Sequence, residues 1–293
     1  MKTNLACLPC FRRQAQYAAS LATEYDSVRA EILVQTESHL ASLSMEESPP
    51  VNSIGLYRTI SMISNNPDPF CHLKQQSNKL ALEIRPHVEA LIKQGNDPLY
   101  RAILFAIAGN IIDYGSQQEF DLNGTLTHCL QKHPAINHYE KLRNDLTHAR
   151  HILYLADNCG EIVFDSLVAE QLTGAVTFVV KNDPIINDAT TADAIRCGLD
   201  RRHRIISNGT ACPGTPLKLC TKEVQKLFLE ADIVISKGQG NLETLSEETR
   251  PVYHLLTVKC PVVARHIEEI SNHCHPISTG AAVLLRLGSD DFQ

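Results

Sequence analysis

A chain of 293 residues, 43% hydrophobic and 20% charged, can bury a substantial core as one large or two closely joined domains, and needs no disulfide or metal staple to fold. A formal net charge of -6 and a pI near 6.1 exclude the basic face that a nucleic-acid partner demands, and no apolar run reaches the length that spans a bilayer. Residues 1–11 lack the basic stretch and apolar core of a secretory leader, which predicts a cytoplasmic protein whose ten cysteines are thiols, mostly small buried apolar residues.

The first half reads as helical. Apolar residues recur at helical spacing over 12–43 without Gly or Pro, among good helix formers such as Ala18, Ala22, Ala30 and Leu33, so a helix is expected there. Residues 44–52, with Pro49 and Pro50, form the natural break. A second helix is expected over 54–63, stopped by Asn65-Asn66-Pro67-Asp68-Pro69, and a third over 72–94, with Pro86 as a kink or boundary and Gly95 at its end. Asp97-Pro98 opens a fourth over 99–114, whose middle, 102–108, is apolar all round and hence buried on all sides. Asn110 and Asp113 lie three apart on one face of that helix. Buried polar groups need partners, so they either tie the helix to a sheet or face a cleft.

Near residue 150 the pattern changes. Five short β-rich runs, 151–156, 176–180, 204–207, 232–236 and 252–258, alternate with segments of helical periodicity. Short apolar strands alternating with helices predict a mostly parallel sheet covered on both faces, a Rossmann-like three-layer α/β/α sandwich. The expected division is a helical domain over 1–147 packed on an α/β domain over 148–293. Ligands of such sheets bind beyond the carboxyl ends of the strands, so the residues just after each strand carry the chemistry.

Those positions read Asp157-Asn158-Cys159-Gly160-Glu161, then Lys181-Asn182-Asp183-Pro184 leading to Asn187-Asp188, then Asn208-Gly209-Thr210, then Lys237-Gly238-Gln239-Gly240-Asn241, then Lys259-Cys260-Pro261. Carboxylates and amide carbonyls are hard oxygen ligands suited to Mg²⁺ or Mn²⁺, lysines neutralise phosphate oxygens, and the helix after Asn158 offers its positive end to an anion. The set suits phosphate-ester hydrolysis. The competing reading makes Asp157 and Asn158 cap one helix and Asp188 the next. The glycine pair Gly238 and Gly240 does not complete a dinucleotide fingerprint, and the turn after the first strand carries only Gly160, which disfavours a nicotinamide-dependent oxidoreductase.

The same strand-end runs, together with Ile162-Val163-Phe164-Asp165, Pro184-Ile185-Ile186-Asn187-Asp188-Ala189-Thr190, Ala108-Gly109-Asn110-Ile111-Ile112-Asp113 and Cys7-Leu8-Pro9-Cys10, resemble the domain-of-unknown-function 89 family of metal-dependent damage-control phosphatases. The cysteine pair places the chain nearest the prokaryotic-type subgroup. The resemblance implies a helical region on a Rossmannoid domain. It also implies a divalent ion (Mn²⁺, Co²⁺, Ni²⁺ or Mg²⁺) at Asp157, Asn158 and Asp188, with Lys237 and Asn110 facing a small phosphorylated metabolite such as a sugar phosphate. Further substrate contacts are expected at Asp113, Lys181, Glu161, Gly238 and Asn241. In Asn208-Gly209-Thr210-Ala211 the acidic residue expected after the Gly-Thr is missing, a departure that bears on specificity.

Glu161 and Asp165, four apart on one helix face, either orient the attacking water or simply favour the helix dipole. Cys7 and Cys10 have the spacing of half a zinc site or a redox pair, with Cys71, His72, His128 and Cys129 as scattered completing candidates, whereas Cys159 reads as packing and His273-Cys274-His275 as a surface loop. A non-catalytic metal- or phosphometabolite-binding protein on the same cleft is the alternative to a phosphatase.

Overall fold

The computed structural model describes residues 1–113, 122–131 and 133–289, with the side chains of 110–113, 122, 123 and 125 outside the description. Helix α1 (Leu8–Ala22) carries Pro9 in its first turn, where a missing N–H costs nothing, and buries Phe11, Ala15, Ala18, Ala19 and Ala22 along one stripe. The single helix expected over 12–43 is instead two, because the chain turns at residues 23–25 before α2 (Asp26–Ala41). Thr23 is fully extended there, and its carbonyl accepts from the Arg29 guanidinium at 2.9 Å. Neither Gly nor Pro marks the turn; it is paid for by α2 folding back against α1 and α3 (Pro49–Ser64). Pro49 and Pro50, read as part of a break, are the first two residues of α3.

α4 (Cys71–Lys93) continues through Pro86, and α5 (Pro98–Asp113) follows; the expected end at Tyr114 lies outside the described residues. Among the described helices and strands, α6 (Leu122–Gln131), the two-residue β1 (Ile136–Asn137), α7 (Tyr139–Leu146), the last helix (Pro261–Ser271) and the last strand, β7 (Ala282–Leu287), escaped the sequence reading. The expected strands all occur, as β2 (His151–Leu155), β3 (Ala175–Val180), β4 (Arg204–Ser207), β5 (Ile233–Lys237) and β6 (Val252–Thr257). Between them run α8 (Glu161–Ala169), α9 (Thr191–Arg196), α10 (Lys222–Glu230) and α11 (Gln239–Leu245), and α12 (Pro261–Ser271) precedes β7.

The seven strands form one sheet in the order β1-β7-β6-β5-β2-β3-β4. β2 to β6 are parallel, β7 is antiparallel to β6, and β1 pairs parallel with β7, so the sheet takes in a strand from before residue 148. Strand order reverses between β2 and β5, and this switch point is where a doubly wound sheet opens a crevice. Leu155 stands opposite both Val179 and Ser236, which brings the ends of β2, β3 and β5 level.

Alternate strand residues feed opposite faces. Ile152, Tyr154, Phe178, Ile235 and Tyr253 pack under α4, α5, α7 and α8, whereas Leu153, Leu155, Val179 and Val234 pack under α10. The face beneath α12 is filled by Leu256, Val263, Ile267, Val283 and Leu285. Helices α1 to α3 enclose a separate core that receives Ile185 from the loop after β3, so the amino-terminal bundle touches the strand-end region directly. No helix among the described residues is long and apolar enough to cross a membrane.

Candidate active site

Asp157 and Asn158 leave the end of β2, and Asp188 sits in the loop that follows β3. The two loops are knitted by backbone hydrogen bonds: Cys159 N–H donates to the Asn187 carbonyl at 2.8 Å, and Ala189 N–H to the Asp157 carbonyl at 2.8 Å. The sequence therefore places ligand-type side chains on two strand ends, and the pairing of Asn158 with Asp188 in an antiparallel bridge brings them together. All three are buried, with 3–5% of their surface exposed.

None of the three caps a helix with its side chain, which removes the alternative reading: the residue before α8 is Gly160, and α9 is capped by Thr190 in a reciprocal box with Asp193. Asn158 Nδ2 donates to Asp157 Oδ2 and to Glu161 Oε1, both at 2.8 Å. Asp188 Oδ2 is buried and accepts no hydrogen bond; its nearest cation is Lys181 Nζ at 3.5 Å. Burial pushes the Asp188 carboxyl up to about 8, with the Asp157 charge adding to the rise and Lys181 opposing it. Asp157 is raised too, by burial first and then by Glu161, while Lys259, Lys181 and Lys237 pull it down. Two buried carboxylates side by side repel, and a divalent cation between them would remove that cost.

Gly238 makes this crowding feasible. Its φ of +81° suits glycine, and a Cβ there would lie 2.0 Å from Asp157 Oδ2. Gly238 thus leaves room for the Asp157 carboxylate.

Lys237 stands at the end of β5 with 1% of its surface exposed. Its ammonium lies 3.0 Å from Glu161 Oε2 and 2.7 Å from Asp165 Oδ1, and Asp165 also accepts from the Tyr154 hydroxyl at 2.8 Å. Burial alone would lower the Lys237 pKa, but the two carboxylates hold it above its ordinary value. Burial conversely lifts Asp165 to about 6 against the pull of Lys237. Lys237 is therefore committed to two internal carboxylates, and Glu161 links it to Asn158.

Lys181 is held less tightly, by the Gly214 carbonyl at 3.1 Å and by Asn241 Oδ1 at 3.4 Å. Asn241 is a structural tie. Its Nδ2 donates to the Lys237 carbonyl at 2.7 Å and the Ala156 carbonyl at 3.2 Å, joining the ends of β5 and β2, while its Oδ1 accepts from the Thr215 hydroxyl at 2.7 Å. Asn110 and Asp113 lie on α5, but their side chains are outside the described residues. The neighbouring Gly109 packs on α8, where a Cβ would meet Glu161 Cγ at 2.9 Å.

Two groups emerge that the sequence reading did not assign. Lys259 is exposed at the rim, makes no ion pair among the described residues, and acts electrostatically on Asp157, Asp188 and Glu243. Glu243 is buried on α11 with its pKa pushed up to about 7 by burial. The sequence did carry a signal for Lys259, its position two residues past β6, but nothing separated it from the other strand-end lysines before their partners were seen. Cys7 and Cys10 are half-buried thiols, and no group of three His, Cys, Asp or Glu side chains converges as a metal site among the described residues. The 273–275 segment lies in the turn after α12, with Cys274 and His275 exposed.

The fold and this edge define a doubly wound α/β protein with a hard-oxygen ligand set at its switch point. The model of the damage-control phosphatase ARMT1-like domain matches residues 3–273, and the chain belongs to that family. It is 33% identical to a damage-control phosphatase of Pyrococcus horikoshii, over 98% of each chain. It is 30% identical to a damage-control phosphatase of Archaeoglobus fulgidus, over 91% of this chain and 96% of that one. A crystal structure of a DUF89 family protein from Pyrococcus horikoshii superposes with a TM-score of 0.89 at 31% identity, covering 98% of this chain and 99% of that chain.

Proposed function

We propose that the protein is a metal-dependent phosphatase of small phosphorylated metabolites, such as sugar phosphates or damaged metabolite phosphates, acting at Asp157, Asn158 and Asp188. The observation that carries the reading is Asp188 Oδ2, a buried carboxylate oxygen with no hydrogen bond, beside a second buried carboxylate. A group left so costly in a folded protein is explained by a ligand that completes it. Two carboxylates and an amide oxygen are hard donors, which suits Mg²⁺, Mn²⁺, Co²⁺ or Ni²⁺.

A divalent cation held there supplies Lewis-acid stabilisation of a phosphoryl group and makes water a better nucleophile near neutral pH. The chain's own residues do the rest. Glu161 and Asp157 hold the Asn158 amide by each accepting a bond from its Nδ2, which leaves Oδ1 as its donor atom for a cation. Lys237 neutralises Glu161 and Asp165 and so keeps that support rigid. Lys259, exposed and unpaired among the described residues, is the cation that receives the phosphate from solvent, and Lys181 stands behind Asp188 to stabilise charge that accumulates in the transition state.

The test is hydrolysis of p-nitrophenyl phosphate and a panel of sugar phosphates with each of the four metals. Turnover should require added metal and fall at least about 1,000-fold in Asp157→Ala and Asp188→Ala, as expected for loss of a catalytic ion. Unchanged turnover in both variants would overturn the site. Tight binding of phosphate esters with no phosphate released from any of them would instead establish a non-catalytic binding protein.

A further inference from the structure

Helix α4 belongs to the amino-terminal half of the chain, yet part of its buried stripe is polar. Ala81, Ile84, Val88 and Ile92 form the apolar stretch of that stripe, and one and two turns earlier it carries Asn78 and Lys74, which are 1% and 3% exposed. Polar groups in such positions are costly unless bonded. Asn78 Oδ1 accepts from the Gly160 N–H at 2.7 Å, and its Nδ2 points to Asp193 Oδ1 at 3.5 Å. Asp193 Oδ2 accepts from the Thr190 N–H at 3.0 Å and the Thr190 hydroxyl at 2.7 Å. Lys74 Nζ closes the chain, 3.1 Å from Asp193 and 3.1 Å from Asp68.

Gly160 comes two residues after Asn158, and Thr190 two after Asp188. Gly160 precedes α8 with φ +79°; the Ile162 and Val163 N–H groups bond to the Asn158 and Gly160 carbonyls, which leaves the Gly160 N–H itself in need of an acceptor. Asn78 supplies that acceptor from another helix. Backbone bonds between the two loops set their register to each other, and among the described residues the α4 side chains Asn78 and Lys74 tie Gly160 directly, and Thr190 through Asp193, to a third, rigid element.

We infer that Asn78, oriented by Asp193 and Lys74, is a positioning residue that grips the two metal-binding loops at Gly160 and Thr190 and so fixes the separation of Asn158 from Asp188. The cation part of this inference rests on the ligand reading above; the grip on the loops does not. Asn78 touches neither substrate nor ion.

The experiment compares full-length Asn78→Leu, similar in size with no polar atom, and Asn78→Asp, which keeps an acceptor for Gly160. Metal-free proteins are followed by hydrogen–deuterium exchange, and Mn²⁺ binding by calorimetry. In Asn78→Leu, exchange should accelerate within 157–161 and 187–190 while the rest of the sheet keeps its protection. Mn²⁺ binding should weaken on the order of 10- to 100-fold, the usual effect of removing support behind a metal ligand. Asn78→Asp keeps the acceptor for Gly160 but not the donor to Asp193, so it should restore protection within 157–161 and not within 187–190. Unchanged exchange in both loops of the Leu variant overturns the inference, as does acceleration spread evenly over the whole protein, which would mark Asn78 as an ordinary core residue. If the parent protein binds no Mn²⁺, the ligand reading fails by itself and the exchange comparison still decides the grip. Should the Leu variant be insoluble, Asn78→Ala carries the same comparison.

Discussion

At the end of β5 the Lys237 ammonium lies 3.0 Å from Glu161 and 2.7 Å from Asp165, whereas at the end of β3 the Lys181 ammonium finds the Gly214 carbonyl at 3.1 Å, Asn241 at 3.4 Å and Asp188 only at 3.5 Å. Both lysines are buried, and both follow a parallel strand. The first is closely paired with two carboxylates, which have no other cation so near among the described residues. The second shares its charge among a carbonyl, an amide and a carboxylate whose outer oxygen remains unbonded. Among the described residues an unbonded carboxylate oxygen occurs at both ends, Asp165 Oδ2 as well as Asp188 Oδ2, so what differs is how closely each ammonium is paired: two carboxylates within 3.0 Å of Lys237, against one at 3.5 Å from Lys181. The difference separates two residues that look equivalent in the sequence.

The largest effect expected from this contrast is on folding. Lys237→Met leaves Glu161 and Asp165 buried without their cation and should cost about 3–5 kcal/mol in urea denaturation, the range for breaking one side of a buried pair. Lys181→Met should cost clearly less stability and more turnover. Equal stability losses in the two variants would erase the distinction between the two strand ends.

Gly238→Ala tests whether the space beside Asp157 is functional. An added methyl meets Asp157 Oδ2 and must also sit at φ +81°, so about 1–3 kcal/mol of strain is expected, with metal affinity falling as the carboxylate is displaced. Calorimetric titration with Mn²⁺ measures the affinity, and a melting curve measures the strain.

Lys259→Ala addresses the rim. Lys259 is exposed and makes no ion pair among the described residues, so melting should be unaffected while KM rises roughly tenfold, about 1.4 kcal/mol of lost phosphate attraction, with a weaker dependence of KM on salt. A fall in kcat with KM unchanged would shift Lys259 from recruitment to the transition state.

The smallest effect concerns the opposite face of the sheet. His254 lies on β6 beside Ser236 of β5; neither side chain has a hydrogen-bond partner among the described residues, and burial lowers the His254 pKa to about 3. A group kept neutral in the fold but protonated when unfolded contributes stability above its unfolded value near 6.5, and loses it as pH falls from there toward 3. His254→Leu should therefore be neutral or slightly stabilising at pH 7 and should flatten the loss of stability between pH 6.5 and 5, read by melting at each pH.

Much of the site was legible because strand ends in a parallel sheet are fixed by the alternation of apolar runs and helices. Once β2, β3 and β5 are placed, Asp157, Asn158, Asp188, Lys181 and Lys237 must gather at one edge. What spacing could not show is the direction of each side chain. Gly238 and Asn241 were expected as substrate contacts, but the first makes room for Asp157 and the second ties β2 to β5. Lys74 and Asn78 were visible as polar residues in register with a buried stripe, yet their partners beside the two loops, Gly160 and Asp193, are more than eighty residues away along the chain. The turn at 23–25 and the strand β7 were missed for a related reason. The first has no local breaker, and the second lies after a helix with no parallel crossover to announce it.

By itself the sequence determined the α/β class, the five parallel strands and the oxygen-rich edge, because hydrophobic period and strand-end position are local properties of a chain. Only the tertiary structure decided which buried charges are paired and which are left open, because the free energy of a buried charge depends on partners brought together from distant segments and on the water they exclude. That is how Asp157, Asn158 and Asp188 come to stand together as buried oxygen-bearing side chains while Lys237, at the end of the apolar strand β5, is held by Glu161 and Asp165.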